Sequence, residues 1–92
     1  MTLEELADLA ETEPSAVINL WLPIRPMDTL HERIKEARAI LSGLCHFKEG
    51  HNTVANFIVD IADAQPAYCA LWLGGMRPTM NLNYTTRRVS PE

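Results

Sequence analysis

Basic residues are missing from the first 22 positions, which hold Glu4, Glu5, Asp8, Glu11 and Glu13 but neither Lys nor Arg. That absence works against any role for the opening segment that depends on neutralising phosphate. Cysteine is scarce. Cys45 and Cys69 are too few for a disulfide framework, and their apolar surroundings suit reduced thiols. Long hydrophobic runs are lacking as well: the most apolar stretch, "PAYCALWLGGM" over 66–76, is about half the ~20 residues a membrane-spanning helix needs. The opening shows neither the basic nor the apolar region of a secretory signal, so a soluble cytoplasmic protein with no membrane partner is expected. Glycine is sparse, and the pair at 74–75 precedes neither a Lys-Ser nor a Lys-Thr pair, which excludes a phosphate-cradling loop.

What is present is an ordinary globular composition. Of the 92 residues 47% are hydrophobic and 22% charged, enough for one core and too apolar for a disordered tail, so residues 1–92 read as a single domain. Net charge is −4, unevenly spread. Residues 1–22 carry five acids and no base, whereas residues 23–92 carry seven acids and eight bases.

Hydrophobic spacing predicts a mainly α fold of about four helices, over 3–11, 14–22, 29–44 and 53–64. Thr2 and Glu5 form a capping box for the first, whose stripe is Leu3, Leu6, Leu9 and Ala10. Pro14 suits the start of the second, where Val17, Ile18, Trp21 and Leu22 continue the period. Thr29 and Glu32 cap the third, with Leu30, Ile34, Ala37, Leu41 and Leu44 at heptad-like spacing, a seam that could also build a homodimer. Val54, Phe57, Ile58, Ile61 and Ala62 mark the fourth, closed by Pro66. The alternation of Met80, Leu82 and Tyr84 suggests a C-terminal β-hairpin pairing 67–73 with 79–86, and residues 86–92 read as a frayed tail.

The opening "TLEELADLAETEPSAVINLWL" resembles repressor-type helix-turn-helix domains over residues 2–22. Ala7 stands where the family places a small residue, Val17 and Leu20 where it places apolar ones, and Trp21 where an aromatic often anchors the second helix. The resemblance implies a sequence-specific DNA-binding regulator, with Ser15, Ala16 and Asn19 at base-reading positions; the basic groups it needs would have to come from Arg25 or the tail. Asn19 alone among the three has an amide suited to a bidentate base contact. Five carboxylates on the same segment oppose that use, because they repel the DNA backbone.

No catalytic constellation stands out. Cys45, His46, His51 and Cys69 are the residues with metal-ligand chemistry, but their spacing fits no zinc signature and no third group orients a Cys-His nucleophile. The expectation is therefore a non-enzyme with no catalytic residue, metal or cofactor. Its acidic opening, Glu4, Glu5, Asp8, Glu11 and Glu13, would meet a protein partner with a basic surface and modulate it, most simply by inhibition. Nucleic-acid-handling machinery exposes such surfaces, and accessory proteins of phages and mobile elements are often this small and acidic. Trp21, Tyr68 and Trp72 are expected in the core, and either tryptophan, if exposed, becomes the candidate hot spot. Arg77, Arg87 and Arg88 form a modest basic region toward the end.

Overall fold

The computed structural model describes residues 1–23, 30–49 and 55–83. Among these the element order is α1 (Leu3–Thr12), β1 (Val17–Trp21), α2 (Leu30–Ser42), β2 (Lys48–Glu49), β3 (Asn56–Asp60), α3 (Ile61–Leu73) and β4 (Thr79–Asn83). The strands form one sheet in the order β2-β3-β1-β4, and every neighbouring pair is antiparallel. It follows that β1 is parallel to β2 and β3 is parallel to β4, each pair separated by one intervening strand. The chain is thus two interleaved split β-α-β units, β1-α2-β2 and β3-α3-β4, preceded by α1.

This is an α+β fold, and the mainly α expectation is corrected at three places. The helix expected over 14–22 is strand β1. Its five residues are too few for a stable helix, and with Val, Ile and Trp among them they favour a pleated surface. The helix expected over 53–64 is β3 followed directly by the first turn of α3, so its apparent stripe joined two elements of different period. The expected hairpin does not form: residues 67–73 belong to α3, and β4 pairs with β1, Leu20 opposite Met80 and Ile18 opposite Leu82. Pro66 lies inside α3 and does not end it. The bond it removes is to the carbonyl of Ala62, and both residues are exposed, on the water-facing side of the helix. Helices α1 and α2 sit close to the spans expected at 3–11 and 29–44. Thr29, Tyr84, Thr85 and the tail over 86–92 lie outside the described residues.

All three helices cover one face of the sheet. Ile18 and Leu20 of β1, Phe57 and Val59 of β3 and Met80 of β4 share a buried cluster with Leu6 of α1, Ala37 and Leu41 of α2, and Ala64, Ala67 and Leu71 of α3. The α2 seam is therefore used in the protein's own core, with Ile34 and Ile40 partly buried against it. Helix α1 packs on α3, and two backbone bonds set its direction. The amide of Ile61 donates to the carbonyl of Ala16 at 3.0 Å, and the Met1 amine donates to the carbonyl of Met80 at 3.1 Å. α1 thus runs antiparallel to α3 on the β4 side, its start beside the end of α3.

The exit from α3 is closed by backbone geometry. The amide of Met76 donates to the carbonyl of Leu71 and that of Gly75 to Trp72, both at 3.0 Å, while Gly75 takes φ 86°. That is a Schellman turn with glycine at the left-handed position, and buried Met76 and Leu71 supply its apolar contact. A methyl group at Gly75 would meet nothing within 4 Å, so only backbone strain opposes a side chain there. Gly75→Ala should lower the unfolding free energy by about 1–2 kcal/mol in urea titration; an unchanged midpoint would remove this turn from the account.

Candidate interaction surfaces

The first surface is the outer side of α1. The Thr2 hydroxyl accepts from the Glu5 amide at 3.1 Å and the Thr2 amide donates to Glu5 Oε1 at 3.2 Å, the capping box expected from the sequence. Leu6 turns into the core, with Leu9 and Ala10 packed at its margin, and that spacing leaves Glu4, Glu5, Asp8, Glu11 and Glu13 exposed. The five expected partner-binding residues are thus brought to one helix and its C-terminal cap. The ion pairs among the described residues are Arg33 with Glu36 and Arg38 with Glu49, and neither involves α1.

Local folding accounts for only part of this acidity. Glu4 and Glu5 sit in the first turn, where the helix dipole favours anions, and Glu5 closes the cap. Asp8 stands four residues after Glu4 and three before Glu11, so the stripe carries like charges at repelling spacings. Glu11 lies in the last turn, where the dipole disfavours an anion and no base is present.

The second surface is the end of α3. Trp72 is 41% exposed and Leu73 91%, the most exposed large apolar side chain in the described residues. The turn at Gly75 sends Arg77 back over the helix end, where its Nη1 donates to the carbonyls of Met76 at 2.8 Å and Trp72 at 3.4 Å. The guanidinium carbon then lies 3.9 Å from the centre of the Trp72 ring, a cation–π stack, and the Tyr68 ring lies 6.0 Å from the other aromatic. Trp72 is held in place while remaining open to solvent. Leu3, 40% exposed at the start of α1, belongs to the same end of the helix layer.

The third surface is the face of the sheet on which no helix packs among the described residues. Alternation along the strands puts Asn19 and Trp21 of β1, Asn56 and Ile58 of β3, and Asn81 and Asn83 of β4 on it. Trp21 is 40% exposed. Asn83 Nδ2 donates to Asn19 Oδ1 at 2.9 Å, whereas Asn56 Oδ1 is buried with no hydrogen-bond partner among the described residues. Lys48, opposite Ile58, adds a cation at the β2 edge. Val17 shares this side and is fully buried.

The fold places two of the residues expected to read DNA on different kinds of backbone. Ser15 is exposed in the turn before β1, Asn19 stands in the middle of a strand, and Arg25 lies outside the described residues. The second helix of a helix-turn-helix is absent from 14–22. Both tryptophans, expected in the core, are exposed, while Tyr68 is half-buried beside it. Sequence reasoning missed the stacking of Arg77 on Trp72; the Gly74–Gly75 pair, which begins two residues after Trp72, is the signal that encodes it, once α3 is known to reach Leu73.

Cys45 lines a shallow cleft of about 390 Å³ between the end of α2 and the start of α3, with Ser42, His46 and Asp63 among its walls. Burial pushes the Cys45 thiol above its ordinary value of 9.0, and the carboxylates of Asp63 and Asp60 push the same way. The thiol stays protonated near neutral pH, the opposite of what a nucleophilic cysteine needs. Cys69 is a free, exposed thiol, and His51 and Arg87–Arg88 lie outside the described residues. Among the described residues no three His, Cys, Asp or Glu side chains are grouped to hold a metal, and no helix is long and apolar enough to cross a membrane. No family model, curated protein or solved structure matches the chain.

A thiol whose folded pKa is raised supports the fold while protonated; its contribution is complete below the ordinary value and is lost as pH climbs through the raised one. Stability should therefore decline from about pH 9 upward, with Cys45→Ala removing part of that decline, as followed by chemical denaturation across pH. Near neutral pH, iodoacetamide should label exposed Cys69 well before Cys45 in the folded protein, and both alike in urea.

Proposed function

We propose that this protein is a small, non-enzymatic interaction module that binds a protein partner through the acidic face of α1 and modulates it by inhibition. The observation that carries this reading is the placement of Asp8 and Glu11. They lie on an exposed stripe that repels itself, in positions the helix dipole does not reward, with no cation beside them among the described residues. Charges that contribute nothing to folding gain their value from outside the fold. Their complement is a basic surface, which steers encounter and fixes orientation. Machinery that handles nucleic acid presents such a surface, and a protein that covers it competes with the nucleic acid. An accessory protein of a phage or mobile element acting on that machinery in the cytoplasm is the setting this reading favours.

Two outcomes follow for the α1 variants. Glu11→Gln should leave the fold as stable or a few tenths of a kcal/mol more stable, because it relieves repulsion. The combined change Glu4→Gln, Asp8→Asn, Glu11→Gln should weaken capture of the host partner about tenfold or more, and flatten the salt dependence of what remains. Affinity purification from the host at two ionic strengths reads both effects; equal recovery of the same partner by parent and variant would sink the reading.

The second face of the sheet favours another reading. An exposed Trp21 among asparagine side chains offers a base a stacking surface and neighbouring amide groups, in the way that four-stranded sheets engage single-stranded RNA. Here nucleic acid would be met by a strand surface, the DNA-reading alternative having no second helix to use. In a Trp72→Phe background, the fluorescence of Trp21 should be quenched by a short oligouridine if this reading holds. A flat titration at low salt, where such binding is strongest, would rule it out.

A further inference from the structure

Of the exposed features, the end of α3 shows the strongest conflict between what folding needs and what is present. Leu73 is 91% exposed, beside a tryptophan whose ring is stacked under Arg77, which is itself held by two backbone carbonyls. The turn closes equally well with a polar residue in place of Leu73, since its apolar contact is made by Leu71 and Met76. A rigid aromatic next to an uncovered leucine has the character of a binding anchor, because little conformational entropy is left to lose when a partner covers it. The antiparallel packing of α1 on α3 then sets the chemistry of what fits. The start of α1, with Leu3 and Glu4, lies toward this end, so the apolar patch and a helix edge whose carboxylates make no ion pair among the described residues share one end of the helix layer.

We propose that Trp72 and Leu73 form the apolar anchor of a docking site for a basic amphipathic helix of a protein partner, with the partner's cations lying along α1. This rests on the acidic-face reading and adds to it where affinity comes from: the carboxylates steer and orient, and the α3 end supplies the desolvated contact. Arg77 sharpens the specificity. Its positive charge over Trp72 opposes any cation placed directly on the ring, so the partner's basic residues must be displaced from its apolar anchor toward Glu4 and Asp8. A second copy of this chain fits less well, because an acidic α1 would face another acidic chain of net charge −4.

The probe is a synthetic amphipathic helical peptide with leucine on one side and lysine on the other. Its controls are a leucine-glutamate counterpart and a lysine-rich peptide without leucines. Binding is followed by Trp72 fluorescence in the full chain carrying Trp21→Phe. The leucine-lysine peptide should shift the emission to the blue and bind at least about tenfold tighter than either control. Leu73→Ser should weaken it about tenfold with unchanged circular dichroism, since the side chain makes almost no contact within the protein. Glu4→Gln with Asp8→Asn should weaken it separately and reduce its salt dependence.

If Leu73→Ser binds like the parent while the acid variants lose binding, the anchor is wrong and the acidic face stands alone. If Leu73→Ser loses binding but the acid variants do not, the basic occupant is wrong, and so is the acidic-face reading beneath it. Binding by neither the parent nor any variant overturns the proposal. Sedimentation of the parent as a dimer that Leu73→Ser converts to monomer would also overturn it, assigning the patch to a second copy.

Discussion

The pairing of β1 along both of its edges is the constraint on which the rest of the molecule depends. Its five residues pair with β3 on one side and β4 on the other, so β1 joins the first split β-α-β unit to both strands of the second, with only the two-residue β2 adding a further junction at β3. The same pleat sends Ile18 and Leu20 into the cluster beneath the helices and Asn19 and Trp21 to the opposite face. A register shift of one residue would exchange those two sets, exposing two fully buried aliphatic side chains at about 1.5–3 kcal/mol each. The partner strands answer in kind. Val59 and Leu82 stand opposite Ile18, and Phe57 and Met80 opposite Leu20, so one register satisfies both neighbours.

That short strand is also where the sequence misleads. Val17, Ile18, Trp21 and Leu22 fall at helical spacing, while Ile18, Leu20 and Leu22 fall at strand spacing, and six residues contain both patterns. Periodicity alone does not separate them; length and β-branching do. The join at Asp60 and Ile61 hides a second boundary, because a strand ends where a helix begins and the single residue Asp60, the N-cap of α3, is all that separates them. Helices α1 and α2 were legible for the opposite reason. Each has a long stripe of one period, and α1 starts at a capping box that the structure retains. The fold class was lost at the junctions, where elements are short and abut.

The candidate surfaces divide in the same way. The acidity of α1 was visible in the sequence because it depends on residue type alone. Its meaning needed the structure, which shows Leu6 buried, the carboxylates outward, and no cation beside them among the described residues. The α3 end was not visible, because it depends on where α3 stops. Trp72 and Leu73 read as a hairpin strand until Pro66 is seen to lie inside a helix that continues to the glycines. The prolonged helix puts Ala67 and Leu71 inward and leaves Leu73 with no inward face to occupy.

The two faces of α1 and the end of α3 are coupled by how little core a chain of this size has. Among the described residues sixteen hydrophobic side chains are buried, and Trp21 and Trp72, the two largest side chains available, are not among them. Burying either would have stabilised a small domain more than almost any other change. Among the buried residues are Ala37, Ala64 and Ala67, small side chains on α2 and α3 that let helix and sheet approach closely. Buried alanine is ordinary, but two tryptophans left 40% and 41% exposed in so small a domain forgo burial that folding would favour. The carboxylates of α1 repel one another in the same direction, against stability. Both departures act on the molecule's surface, and both lower a stability that is small to begin with. On the reading proposed above, these are the surfaces a partner would cover: the self-repelling acidic stripe of α1 and the exposed aromatic at the end of α3.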